Sequence, residues 1–144
     1  DIPVNDFVAN GSFKNRTDDG KITGWTSTAL DRELSASAEG LTLDADEGAY
    51  QVINGQYKNT SYRLSASADV TGNGKCYVYI AEYFGTVKMA VSEKIEFTAA
   101  DKGEKSFEYT LKNNMTSAGR VYIETESGTT AVVKNVKLLR SLPA

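Results

Sequence analysis

C-Y-V-Y-I-A-E, from Cys76 to Glu82, and R-V-Y-I-E-T-E, from Arg120 to Glu126, both alternate with a strict period of two. Successive side chains of an extended strand point to opposite faces. Val78 and Ile80, and likewise Val121 and Ile123, therefore line one side of a sheet, and Tyr77, Tyr79, Tyr122, Glu124 and Glu126 line the other. The aliphatic side is a core. Tyrosines beside carboxylates are ill suited to form a second one.

The same alternation recurs outward from these two runs. It predicts strands at Leu30–Ala36, Leu41–Ala45, Ala49–Ile53, Ser61–Val70, Lys75–Tyr83, Thr86–Val91, Lys94–Phe97, Glu104–Leu111, Arg120–Thr125 and Thr130–Leu139. Glu39-Gly40, Asn54-Gly55 and Thr71-Gly72-Asn73-Gly74 supply turn residues that tolerate positive φ. The inward set is Leu41 and Leu43, then Tyr62, Leu64, Ala66, Ala68 and Val70, then Ile95 and Phe97, and finally Phe107, Tyr109 and Leu111. Arg63, Ser65, Asp69, Lys94, Glu96 and Glu108 point outward. No segment shows the i, i+3, i+4, i+7 spacing of an amphipathic helix. Two antiparallel sheets packed face to face, an all-β sandwich, satisfy this pattern. No repeat, low-complexity tract or linker divides residues 1–144, which form a single domain.

A chain of 144 residues buries about 68–70% of the surface its unfolded form exposes, so it needs no disulfide or metal to fold. Sixteen Lys and Arg face nineteen Asp and Glu, a formal net charge of −3 with no basic run. Nucleic acid and anionic membrane are accordingly poor partners. The chain contains no apolar stretch long enough to span a bilayer. It begins at Asp1 without a leader, and is expected to be a mature fragment or a module of something larger. Histidine is absent, which removes the commonest general base and zinc ligand. The single cysteine, Cys76, shares the inward parity of Val78 and Ile80 and is expected to be a buried structural thiol.

A face of tyrosines suits a flat, hydroxylated ligand such as a sugar chain, because each side chain offers an apolar ring with one polar handle. Tyr77, Tyr79 and Tyr122 would supply planes; Glu124, Gln51 and Arg32 would supply hydrogen bonds. Glu82 has the opposite parity and is left out. Tyr50 fits either face, and Phe84 is expected in the core. An open face carrying Tyr79 and Tyr122 in a groove longer than one sugar ring is expected, and burial of both would sink the sugar-binding reading. Glu124 and Glu126 are successive residues on one face, with Cβ atoms about 7 Å apart by strand rise, a separation that a glycosidase pair could use. No convergent set of acid, base and nucleophile accompanies them, so no enzyme activity is expected.

The opening D-F-V-A-N-G-S-F-K-N, Asp6–Asn15, is followed by G-K-I-T-G-W, Gly20–Trp25. Later come Gln51, then S-Y-R-L-S at Ser61–Ser65, and V-V-K-N-V-K-L at Val132–Leu138. In order and spacing these resemble bacterial carbohydrate-binding modules of families four, nine and twenty-two across almost the whole chain. The resemblance implies a jelly-roll sandwich of the galactose-binding-domain type whose concave sheet binds polysaccharide. It also implies attachment to a parent glycoside hydrolase or surface protein, and a secreted, extracellular or cell-surface location of bacterial type. Val121-Tyr122-Ile123-Glu124-Thr125 is especially similar to the xylan-binding family twenty-two, which implies ligand contacts for Tyr122 and Glu124. Trp25 falls in a landmark that the resemblance makes structural. Where those families hold a structural calcium, this chain has Lys14 and Lys134-Asn135. Ammonium groups repel a cation that needs oxygen ligands, so no cofactor or metal is expected. The implied partner is a neutral glycan, xylan first and then starch or another glucan. The alternative is a structural or protein-interaction spacer with a covered tyrosine face.

Overall fold

The computed structural model describes residues 5–6, 8, 10–11, 13–14, 22–28, 34–37, 40–44, 47–53, 61–85, 87–101, 103–110 and 118–141. Among them the chain forms strands and no helix. In order these are β1 (Asn5–Asp6), β2 (Thr26–Ser27), β3 (Ser35–Ser37), β4 (Gly40–Leu43), β5 (Gly48–Ile53) and β6 (Ser61–Gly72). They continue as β7 (Cys76–Phe84), β8 (Val87–Val91), β9 (Ile95–Phe97), β10 (Glu104–Thr110), β11 (Ala118–Thr125) and β12 (Thr129–Ser141). The strands expected from alternation correspond to β3 through β12. β1 and β2, two residues each, are too short to display a period. Residues 30–33 of the expected Leu30–Ala36 strand, the Asn54-Gly55 turn and residue 111 lie outside the described residues.

One sheet runs β10-β6-β12-β4-β3 with β1 along β12, and the other runs β2-β5-β11-β7-β8 with β9 along β7. All pairings are antiparallel. The two sheets make the jelly-roll sandwich that the sequence leads one to expect. Its core joins Leu41, Leu43, Leu64, Val133 and Leu138 of the first sheet to Val78, Ile80, Val121 and Ile123 of the second. Burial of such aliphatic side chains contributes about 1.5–3 kcal/mol each. Cys76 is buried among them, and that burial, reinforced by the Glu124 charge, pushes its thiol up to about 12. Phe84, expected inside, is instead 47% exposed. It ends β7 at the turn carrying Gly85, which leads into β8 of the same sheet.

The landmarks from the start and end of the chain meet in space. The Asn10 carbonyl accepts the Trp25 indole N–H at 3.1 Å, and the Asn10 amide donates to the Thr23 carbonyl at 2.7 Å. Phe13 and Trp25 pack with ring centroids 5.2 Å apart, both buried. The Val136 N–H donates to the Gly11 carbonyl at 2.9 Å, where the pairing of β12 with β6 shifts register between Lys134 and Lys137. Asn135 takes φ 52° there, a left-handed conformation that asparagine tolerates better than most side chains. Three remote segments thus close one corner of the sandwich, and Trp25 is part of the core.

Candidate functional site

β11 lies between β5 and β7, and the two registers set the geometry of the tyrosine face. Tyr122 stands opposite Tyr50 on one side and Tyr79 on the other. Directly opposed residues share a face, so three rings form a row across the strands. Their centroids are 5.6 Å apart for Tyr50 and Tyr122, and 5.3 Å, nearly parallel, for Tyr122 and Tyr79. One step toward one end lie Gly48, Glu124 and Tyr77; one step toward the other lie Val52, Arg120 and Ala81, followed by Tyr83. The face therefore has an acidic end and a basic end.

The hydroxyls of Tyr77, Tyr79, Tyr83 and Tyr122 are engaged. Tyr79 donates to Glu124 at 2.9 Å and Tyr77 to Glu126 at 2.8 Å. The Tyr83 and Tyr122 hydroxyls are 2.6 Å apart, and the Arg120 guanidinium donates to Tyr122 at 3.2 Å. Glu126 is held below the usual carboxylate range by the Tyr77 hydroxyl and then by the Lys75 N–H. A general acid needs the reverse shift. Between Glu124 and Glu126 opens a pocket of about 270 Å³ that also involves Thr28, Glu47, Tyr77 and Lys94. A pocket of this size is below the usual range for a drug-sized ligand, about 300–1,000 Å³.

Burial, then the bond to Tyr122, raises Tyr83 to about 12, while burial and Glu124 raise Tyr79 as well. Because an unfolded tyrosine ionises near pH 10, the fold retains these phenolic protons more tightly than the unfolded chain. Their contribution to stability is complete below pH 10 and declines as pH rises toward about 12. In an alkaline titration followed at 295 nm, late ionisation of a subset of tyrosines is expected to coincide with loss of the far-ultraviolet dichroism. Ionisation of every tyrosine near pH 10 with the dichroism intact would contradict this.

The platform is not open. Tyr79 is 4% and Tyr122 8% exposed, while Tyr50 and Tyr77 are half-buried. Cations stand over the rings. The Lys94 ammonium lies 4.7 Å from the Tyr79 centroid and 5.2 Å from that of Tyr77, and the Lys88 ammonium lies 5.4 Å from that of Tyr122. The Arg120 guanidinium carbon lies 4.2 Å from the Tyr83 centroid and 4.9 Å from that of Tyr50. A bare aromatic platform is thus corrected to an aromatic floor beneath three cations.

Of the residues expected to form a site, Tyr77, Tyr79, Tyr122 and Glu124 share this face. Gln51 does not. It stands opposite Val121, on the inward parity of Ala49 and Ile53, and its buried amide donates to the Gly24 carbonyl at 2.9 Å. Arg32 lies outside the described residues. Glu82 faces inward as its parity requires, buried and accepting the Tyr109 hydroxyl from the other sheet. Arg120, Lys88 and Lys94 were not anticipated. Arg120 was legible two positions before Tyr122, but Lys88 follows a register shift after Glu82, and Lys94 precedes β9 in a connecting segment.

Lys14 and Lys134 occupy the positions where the resembled families hold calcium. Lys134 pairs with Asp69 at 2.8 Å and Lys14 is exposed. Among the described residues no group of three or more Asp, Glu, Cys or His side chains converges on a point.

No family model and no curated protein sequence matches the chain. Solved structures do. A family 4 carbohydrate-binding module superposes with a TM-score of 0.69 at 16% identity, covering 93% of this chain and 99% of that one. The Clostridium thermocellum endo-1,4-β-D-xylanase 10B, comprising a family 22 module and a family 10 glycoside hydrolase module in complex with xylohexaose, gives a TM-score of 0.67 at 16% identity. That match covers 90% of this chain and 28% of that one. The N-terminal cellulose-binding domain of Cellulomonas fimi β-1,4-glucanase C gives 0.62 at 14% identity, covering 95% and 98%. The chain has the fold of these carbohydrate-binding modules.

Proposed function

We propose that this chain is a non-catalytic polysaccharide-binding module and that the glycan lies on the tyrosine face. The observation that carries this reading is the row Tyr50, Tyr122 and Tyr79 at strand spacing, flanked by Glu124 and Arg120, on a fold shared with a cellulose-binding domain and with a family 22 module of a xylanase. Aromatic rings bracketed by charged donors and acceptors provide the two kinds of contact a sugar chain needs. Xylan is the first glycan to test, because of the similarity at Val121–Thr125. The parent is a larger extracellular protein, as in the xylanase of which this fold is one part.

Tyr79 and Tyr122 are both buried, the outcome set to sink a sugar ligand on an open face, and this favours a second reading, a structural or protein-interaction spacer. Against it stands the nature of the cover. It consists of long cationic side chains, with Lys88 and Lys94 themselves exposed, and such stems rearrange without disturbing the backbone.

Affinity gel electrophoresis against xylan, mixed-linkage glucan, starch and a sugar-free gel separates the two. Retardation by a polysaccharide is expected, with a Kd of about 1 μM to 1 mM. Free migration in every gel would leave the spacer. We further propose that the sandwich stands without calcium. Calorimetry with calcium and with a chelator is expected to give the same Tm, and a rise in Tm with calcium would contradict this.

A further inference from the structure

We infer that the glycan taken by the tyrosine face carries anionic groups, received at its basic end by Arg120 and Lys88. This inference rests on the polysaccharide reading and specifies the class of sugar.

The cations are what a ligand arriving at this face meets first. Lys88, Lys94 and Arg120 cover the rings of all five tyrosines. None of the three forms an ion pair with a carboxylate among the described residues, whose pairs are Arg63 with Glu108, Lys75 with Glu96, Lys105 with Asp101 and Lys134 with Asp69. Arg63, Lys75, Lys105 and Lys134 are matched in this way, whereas these three stand over aromatic rings. The carboxylates on the same face are already engaged, with Glu124 accepting Tyr79 and Glu126 accepting both Tyr77 and the Lys75 N–H.

Arg120 is also held ready. Its guanidinium rests against Tyr83 and Tyr50 and spends one donor on the Tyr122 hydroxyl. The rest of a planar fork remains, and that fork matches a carboxylate in two-point geometry. A side chain fixed by stacking loses little further freedom on binding. Lys88 stands opposite Tyr83, one pair further along from Arg120. A neutral sugar would have to displace these groups or leave them unmatched. An anionic one pairs with them as the lysine stems move off the rings.

The face also sets a direction. Glu124 and Arg120 are four residues apart on β11, about 13 Å by strand rise. A chain lying along the tyrosine row turns its hydroxyls toward Glu124 and its anionic substituents toward Arg120 and Lys88. The protein as a whole has a formal charge of −3, so general attraction to a polyanion does not account for such a preference.

Uronic acid carboxylates and sulphate esters both supply this chemistry, and the test separates them. The full chain is run in affinity gels containing glucuronic-acid-bearing xylan, the same polymer after carboxyl reduction, dextran sulphate and plain dextran, at low and high salt. Lys88→Gln and Arg120→Gln run alongside, with Tm recorded for each. Lys88 is exposed, so its variant retains the fold even if Arg120→Gln weakens the cluster. The acidic xylan is expected to bind about tenfold or more tightly than its reduced form, with the difference shrinking in salt and in either variant. Equal retardation by dextran sulphate supports the inference with charge as the determinant; retardation by the acidic xylan alone supports it with carboxylate geometry as the determinant. Equal binding before and after reduction, or no change in either variant, overturns it and leaves polysaccharide binding intact. Free migration through every polymer, neutral or acidic, overturns the polysaccharide reading as well.

Discussion

Alanine at Gly11 is expected to destabilise the protein by at least about 3 kcal/mol, a large part of the stability of a domain this size. The added methyl would lie far inside van der Waals contact with the Val136 carbonyl oxygen and 3.1 Å from its carbon. The segment cannot simply withdraw, because the Gly11 carbonyl holds the Val136 N–H at 2.9 Å. Moving apart sacrifices that bond and loosens the corner where Phe13 and Trp25 are buried. Gly85→Ala is the control. Gly85 has φ 62° but nothing within 4 Å of an added Cβ, so its replacement incurs only the left-handed backbone penalty, about 1 kcal/mol. Urea titration of both variants separates the two effects. Equal losses would mean that β12 yields at Val136 without resistance.

Tyr122→Ala is expected to abolish retardation by polysaccharide and at the same time to cost about 3–5 kcal/mol of stability, the range for deleting a buried aromatic ring. Both effects come from one position. Tyr122 is 8% exposed, stacks on Tyr79 and packs at a tilt against Tyr50, and shares its hydroxyl with Tyr83 and Arg120. Binding must therefore be read at a temperature where the variant is still folded, with dichroism recorded in the same buffer. Tyr122→Phe keeps the ring and removes only the hydroxyl, a loss of about 1 kcal/mol, and is expected to retain most of the retardation. Undiminished binding by a folded Tyr122→Ala protein would remove the glycan from this face.

Period-two alternation made most of the sheet legible, because in a sandwich each strand has one dry side and one wet side. Tyr77, Tyr79, Tyr122 and Glu124 fall on one face for that reason, and Glu82 falls on the other. The same rule applied to β5 puts Gln51 with Ala49 and Ile53, in the interior; only its place among the landmarks had drawn it toward the site. What alternation does not encode is the distance between strands that are remote in sequence. That Tyr50, Tyr122 and Tyr79 would stand in one row depends on two registers. That Lys88 would reach across to Tyr122 depends on an irregularity in the pairing of β7 with β8. The cover of cations arose from those cross-strand relations, and it changes the chemistry of the face from neutral to charged.

β12 is the last of the described strands and also the middle of its sheet, bonded to β6, to β4 and, through Asp6 and Asn5, to β1. Until residues up to 141 are available, β6 and β4 have no partner between them and one wall of the core is missing. During synthesis, at about 5–20 residues per second, the earlier strands must wait for several seconds with their apolar sides unpaired. Completion is then a long-range event, the kind of closure that places β-sandwiches at the slow end of domain folding, in the millisecond to second range. A nascent chain stalled before β12 would therefore be a client for chaperones rather than a smaller version of the finished module.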